Sequence, residues 1–159
     1  MRQDPARLIE LRQHLILDTP AEQGYDHIVQ QLAASLDVPI VTVNLLDADR
    51  DWFKAKVGLP NTESPAASSF CERFFCTDQD LVVVEDTTID PMFRSNPFVV
   101  GQPFIRFYAG ARLQSGGATL GTLCAYDMRP RKISTAQVRD LQTLAGAAME
   151  LLSQRRKAV

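Results

Sequence analysis

Cys71, Cys76 and Cys124 are the three thiols of this sequence, and a thiol does chemistry only where its surroundings favour the thiolate. Arg73 stands two residues beyond Cys71 and would favour ionisation there, which makes Cys71 a candidate redox sensor. Against that, small buried cysteines commonly serve as core filling, and packing is the reading taken for Cys71 and Cys124. Cys71 and Cys76 are five residues apart, a spacing that puts them on different faces of a helix, while Cys124 falls in a strand. Spacing alone therefore defines no pair. His14 and His27 each sit on a helical pattern without a second histidine or cysteine at ligand distance, so both read as solvated and no metal is expected. There is no Gly-x-Ser-x-Gly elbow and no glycine-rich phosphate loop, since Ser115-Gly116-Gly117 reads as a hairpin turn. The expectation is a non-catalytic domain.

A binding constellation is easier to assemble. The segment Asp86 to Arg106 carries Pro91, Pro97, Gly101 and Pro103 and is longer than compact domains usually tolerate without a function, so it is the first place to look for a lid. Asn96 and Arg106 bracket its later part. Asp86, Tyr108 and Thr122 stand at strand positions that could face the same concavity, together a mixture of donors and acceptors suited to a small polar ligand. The plainer alternative is that Asn96 before Pro97 stabilises a turn and that Arg106 stacks on its aromatic neighbours.

The elements that must position these residues follow from capping and periodicity. Asp4-Pro5 opens a helix whose Leu8, Leu11 and Leu15 recur at helical spacing, ending near Leu17. Thr19 and Glu22 read as a capping box for a second helix from about Pro20 to Leu36. From Val38 the β-branched run and the turn Asp47 to Arg50 indicate a hairpin, with Phe53, Ala55 and Val57 on one face and Trp52, Lys54 and Lys56 on the other. A brief helix around Phe70, Arg73 and Phe74, a strand at Leu81 to Val84, and a second hairpin from Tyr108 to Tyr126 follow. Ser134 and Gln137 cap a last helix reaching Arg155 or Arg156, in which Val138, Leu141, Ala145, Ala148 and Leu152 keep coiled-coil spacing. The basic tip Arg155-Arg156-Lys157 reads as solvated. This order describes an α+β domain, an antiparallel sheet with helices segregated at its ends.

With 159 residues and 45% hydrophobic content the chain can bury one core, and residues 1–159 are taken as a single domain. Its parts are terminal helices over 1–36, sheet and pocket loops over 38–127, and a final helix over 134–156. A net charge of -2 with mixed signs offers no field for nucleic acid. No apolar stretch approaches a membrane span, no signal peptide opens the sequence, and the odd cysteine count fits a reducing compartment, so a cytoplasmic protein is expected.

Several blocks together resemble bacterial GAF domains of the kind found with histidine kinases and diguanylate cyclases. They are Ile16-Leu17-Asp18-Thr19-Pro20, Val38-Pro39-Ile40, Asp51-Trp52-Phe53-Lys54, Ser69-Phe70-Cys71, Asp90-Pro91-Met92-Phe93, Asn96-Pro97, Ile105 to Gly110 and Leu120 to Cys124. The resemblance implies a central antiparallel sheet of five or six strands, the N- and C-terminal helices packed on one face, and loops closing a ligand pocket on the other. It also implies dimerisation through those helices, a downstream kinase or cyclase domain, and a ligand of unknown identity. Cys71 and Arg73 join Arg106, Asn96, Tyr108, Asp86 and Thr122 as candidate ligand contacts. The sequence departs from the family pattern at Arg73, where a histidine is common, and at Arg112, where a proline is common; both would favour an anionic ligand if they point inward. Glu72 replaces the histidine that usually follows a bilin-binding cysteine, so no covalent chromophore is expected. The function implied is sensory. A structural dimerisation module, its pocket filled by Phe70, Phe74 and Phe107, is the alternative, and a redox enzyme such as a free methionine sulfoxide reductase is the remote third.

Overall fold

Asp4 and Pro5 start the first helix as their types require: the Asp4 carboxylate accepts from the Ala6 amide and Pro5 occupies the first turn. In the computed structural model, which describes residues 1–158, α1 covers Pro5–Gln13. It stops short of Leu17 because His14 closes it and Leu15 adopts a left-handed backbone, φ 50°. The expected Leu15 anchor is thus 58% exposed, while Ile16 enters the core in its place. His14, read as solvated, is fully buried, with Nδ1 against the Glu10 carbonyl.

The second helix, α2 (Gln23–Leu36), begins three residues later than expected, and the Thr19–Glu22 capping box does not form. Thr19 instead donates to the Ile16 carbonyl and accepts from Lys54, and Glu22 pairs with Lys54 and Arg155. The Ser134–Gln137 box does form, reciprocally, at 2.9 and 3.1 Å, and opens α4 (Thr135–Ala158).

Six strands make one sheet: β1 (Ile40–Leu46), β2 (Arg50–Val57), β3 (Glu63–Pro65), β4 (Leu81–Val84), β5 (Phe107–Ser115) and β6 (Ala118–Asp127). Their order is β3-β2-β1-β6-β5-β4, every neighbouring pair antiparallel. Gly116 and Gly117 both take positive φ, 56° and 78°, the requirement of a tight two-residue turn between β5 and β6. Between β4 and β5 the chain forms a 3-10 turn at Thr87–Ile89 and the short helix α3 (Pro97–Val100).

A bulge in β2 changes the expected facing. Val43 pairs with Ala55 but Asn44 pairs with Phe53, so Lys54 is the extra residue and the alternation resets across it. Trp52, Ala55 and Val57 consequently belong to the helix-side core, and Phe53 turns to the opposite face. The Lys54 side chain is fully buried beneath the helices, its Nζ on Glu22, on Thr19 and the Pro20 carbonyl, and 5.5 Å from the centre of the Tyr25 ring.

The helix side closes tightly. Leu32 and Leu36 of α2 and Leu141, Ala145, Ala148 and Leu152 of α4 are buried against Val41, Val43, Ala109, Leu123 and Ala125 of the sheet. The coiled-coil spacing of α4 therefore describes a seam spent within the protomer: α4 must cover both α2 and the sheet, and the same apolar positions serve that purpose. Arg155 is not a solvated tip either, since it binds Glu22 and the carbonyls of His14 and Leu15. Replacing Leu141 with Ala should lower unfolding free energy by about 2–5 kcal/mol, measured by urea denaturation; a midpoint equal to wild type would remove Leu141 from the protomer core.

Candidate ligand cavity

On the face away from α2 and α4 a second apolar cluster forms around Phe70, Phe74, Phe93, Val99, Ile105 and Tyr108. It is mostly aromatic, with Phe70 stacked on Tyr108 at 5.5 Å and edge-on to Tyr126 at 5.6 Å. Rigid rings on a curved sheet leave space at one end. Between β2, residues 58–70 and residues 98–105 there is a cavity of about 420 Å³, within the range of small-molecule sites. Ile40, Phe53, Leu59, Phe70, Phe98, Ile105 and Tyr126 supply apolar wall; Asp51, Asn61, Ser64, Ser68, Ser69 and Gln102 supply polar edges.

The polar wall is held by residues far apart in sequence. Arg2 crosses to Asp51 at 2.8 Å, also pairs with Glu72 and donates to the Asp47 carbonyl at 2.8 Å. Ser69 donates to the other Asp51 oxygen, and its Oγ accepts from the Cys71 amide at 3.0 Å, which starts the 3-10 turn Phe70–Phe75. Burial raises the pKa of Asp51 although Arg2 and Ser69 oppose it. Burial also works against the Arg2 charge, but Asp51 and Glu72 outweigh it and the Arg2 pKa rises. The guanidinium stays protonated throughout, so the carboxyl is the member of the pair whose ionisation burial can alter.

Behind this wall lies a buried polar cluster from β1, β6 and the 70–75 turn. Cys71 Sγ is 3.6 Å from Cys124 Sγ and 3.0 Å from Thr122 Oγ1, and receives the Asn44 amide at 3.3 Å. Tyr108 Oη lies 3.1 Å from Cys124 Sγ. Burial opposes ionisation of Cys71, yet hydrogen bonds from Cys124, Thr122 and Asn44 outweigh it and the pKa falls. Burial and the neighbouring Cys71 push Cys124 well up.

Of the seven residues expected to contact ligand, none forms the cavity lining. Cys71, Tyr108 and Thr122 are gathered together, but in the cluster behind the wall. Asn96 caps α3 through Phe98 at 2.8 Å and ties it to the Ser68 carbonyl at 3.0 Å, supporting the wall from outside. Arg106 donates to the Val99 carbonyl at 2.8 Å and lies over Phe104. Asp86 caps the Thr87–Ile89 turn and borders a shallow, open depression with Ile89, Pro130 and Lys132. Arg73 pairs with Asp90 at 3.2 Å over Phe93. Arg112 is consumed by the carbonyls of Phe74, Thr77 and Gln79. The two arginines thus bring no cation to the cavity, and the expected preference for an anion loses its basis.

The 86–106 segment is tied down by its own hydrogen bonds and gives one side of the cavity through Phe98, Gln102, Pro103 and Ile105. Thr87 Oγ1 donates to the Ile105 carbonyl at 2.7 Å, and the Ile105 amide to Phe98 at 2.7 Å. The lining residues missed in sequence, Asp51, Phe53, Ser64, Ser69 and Tyr126, fall partly within blocks that carry the family resemblance. A signal for Asp51 and Phe53 exists in strand alternation, but the Lys54 bulge inverts it.

The family pattern of the GAF domain matches residues 20–152, and the chain belongs to the GAF domain family. A cyclic di-GMP phosphodiesterase of Pseudomonas aeruginosa is 38% identical over 117 residues, 73% of this chain and 20% of that protein; the chain thus spans about a fifth of that relative. The fold is similar to the GAF domain of an Acinetobacter phosphoenolpyruvate-protein phosphotransferase, with TM-score 0.71, 18% identity, and 99% and 98% of the two chains covered. It is also similar to free methionine-R-sulfoxide reductase from Neisseria meningitidis, with TM-score 0.68, 18% identity and coverage of 95% and 90%. Among the described residues no helix is long and apolar enough to cross a membrane.

The raised Asp51 pKa has a definite sign. Between the unfolded carboxyl value, about 3.9, and its higher folded value, the native state binds more proton than the unfolded state. Stability contributed through this group therefore falls as pH rises through that window. Denaturant midpoints measured against pH should decline less steeply there for Asp51→Asn than for wild type; parallel profiles would show that Asp51 titrates at its ordinary value.

Proposed function

We propose that this domain is a non-catalytic sensor, in which a small molecule occupies the 420 Å³ cavity and its occupancy is passed to α4. The observation that carries the reading is the double role of β2. Asp51 and Phe53 line the cavity, and the next residue, Lys54, is gripped by Glu22, which also holds Arg155 of α4. A displacement of β2 by ligand is delivered directly to the ends of α2 and α4. Ligand signals only so far as it favours one arrangement over another, a coupling typically of about 1–3 kcal/mol.

The wall chemistry favours a compact, uncharged or cationic ligand with aromatic or aliphatic surface and hydrogen-bonding edges. Among the described residues no lysine, arginine or histidine lines the cavity, and Asp51 is its one carboxylate. The structural-module alternative is weakened by the facing of the three phenylalanines: Phe107 belongs to the helix-side core, Phe74 lies behind the wall, and Phe70 alone borders the cavity. The domain acts in the cytoplasm, ahead of an output domain such as a kinase, a cyclase or the phosphodiesterase type of its relative.

Ligand binding is tested by thermal-shift screening of metabolite mixtures on wild type and Ser64→Trp, whose indole fills the cavity. A ligand at a hundred times its Kd stabilises by about 2.7 kcal/mol, and the shift should vanish in Ser64→Trp. A compound that stabilises both equally binds elsewhere. With that compound, hydrogen exchange near Arg155 should slow in wild type but not in Lys54→Met.

Homodimerisation through the terminal helices belongs to the same proposal, with outward faces in place of the buried α4 seam. Ile9 of α1 is 56% exposed and is the apolar anchor for it. Native mass spectrometry should give a dimer for wild type and a monomer for Ile9→Glu; a monomeric wild type would sink this arrangement.

A further inference from the structure

Cys71 and Cys124 are 53 residues apart in sequence, on different elements, and both fully buried, yet their sulfurs stand 3.6 Å apart. A disulfide needs about 2.05 Å, so the two sulfurs are already in contact and must close further for a bond to form. We propose that Cys71 and Cys124 are a redox modification site, oxidised to an intrachain disulfide by a small hydroperoxide and restored by thiols.

The surroundings assign roles to the two sulfurs. The Asn44 amide nitrogen can only donate, and it meets Cys71 Sγ at 3.3 Å; Thr122 Oγ1 is 3.0 Å from Cys71 Sγ and 3.1 Å from Cys124 Sγ. Donors around Cys71 stabilise a thiolate there. That thiolate attacks one peroxide oxygen, the O–O bond breaks, and the departing oxygen leaves as water or alcohol after taking the thiol proton. Cys71 is then a sulfenic acid. Cys124 sulfur attacks the Cys71 sulfur, the S–O bond breaks, and the hydroxyl leaves as water with the Cys124 proton. Two thiols and one hydroperoxide give one disulfide, one water and one alcohol, or a second water when the oxidant is hydrogen peroxide.

The cavity provides the approach. Ser69 and Phe70 immediately precede Cys71 and line it, as does Tyr126, two residues beyond Cys124. Cys71 sits in a 3-10 turn, whose poorer hydrogen bonds make it the element that adjusts most easily. Hydrogen peroxide is little larger than water. The bond would fasten the Phe70–Phe75 turn to β6 and hold the Phe70 side of the cavity against the sheet. Cys76, exposed and outside the cluster, has no such partner.

The test uses Cys76→Ser, which removes the exposed thiol, alongside wild type. Each is treated with hydrogen peroxide, denatured, alkylated, and mapped by mass spectrometry without reductant. The expected result is paired loss of both buried thiols, a single linked peptide containing Cys71 and Cys124, and recovery with dithiothreitol. Cys124→Ser should instead accumulate dimedone-reactive sulfenic acid at Cys71. Oxidation confined to Cys76 in wild type, or independent oxidation of Cys71 and Cys124 without a linked peptide, would overturn the proposal. These readouts concern covalent state alone and do not depend on the sensory reading.

Discussion

A lysine ammonium buried under the first helices must be met by acceptors, because an unpartnered charge in that environment costs several kcal/mol. Lys54 is in that position, and the acceptors that meet it come from the link ahead of α2: Thr19, the Pro20 carbonyl and Glu22. Satisfying Lys54 fixes where the 14–22 segment runs and explains why Glu22 cannot cap its own helix. Because Glu22 also receives Arg155, the end of α4 is drawn to the same point, and Arg155 in turn closes the carbonyls that α1 leaves at His14 and Leu15. One buried charge thereby joins three helices to one strand.

That strand pays for the arrangement with a bulge, and the bulge gives the sheet its two unlike faces. Beyond Lys54 the β2 residues Ala55 and Val57 continue a face of aliphatic side chains that pack densely under α2 and α4. Before it, Asp51 and Phe53 are released to the opposite side. There the covering layer is made of short turns and rings rather than long helices, and rings meeting at tilted and edge angles cannot fill the concavity at its β2 end. The cavity follows from how the two faces are covered.

Much of the frame was legible in sequence because local chemistry decided it. The Asp4-Pro5 start, the Ser134–Gln137 box, the glycine turn and the strand at Leu81–Val84 depend on residues within a few positions of one another. What was not legible depended on long-range partners. Thr19 and Glu22 have the pattern of a capping box, but Lys54, more than thirty residues away, outcompetes the backbone for both. The α4 spacing Leu141, Ala145, Ala148, Leu152 suits a coiled coil and suits a helix lying on its own sheet, and periodicity does not distinguish the two. Arg73, Arg106 and Arg112 were placed near the right face, but the carbonyls and carboxylates that hold them were invisible in sequence. Asp51 escaped notice because its alternation is interrupted by the bulge and its partner Arg2 lies at the far end of the chain.

The polar groups of the cavity divide into two sets with different uses. Asp51 and Ser69 are already bonded to protein groups, and Asn96 holds the Ser68 carbonyl from outside, so their first service is to keep the wall in shape. Among the described residues the side chains of Asn61, Ser64 and Gln102 at the rim have no comparable bonds across the wall, so in the sensory reading proposed above they are the groups that would meet a ligand. A preformed apolar floor with polar edges would select a ligand by shape first and by hydrogen bonding second. The dithiol one layer behind adjoins that floor through Phe70, the residue before Cys71. A bond between Cys71 and Cys124 would change how freely Phe70 can yield. Oxidation state and ligand would then act on the same wall from opposite sides, and β2, through Lys54, would report their combined effect to the helices.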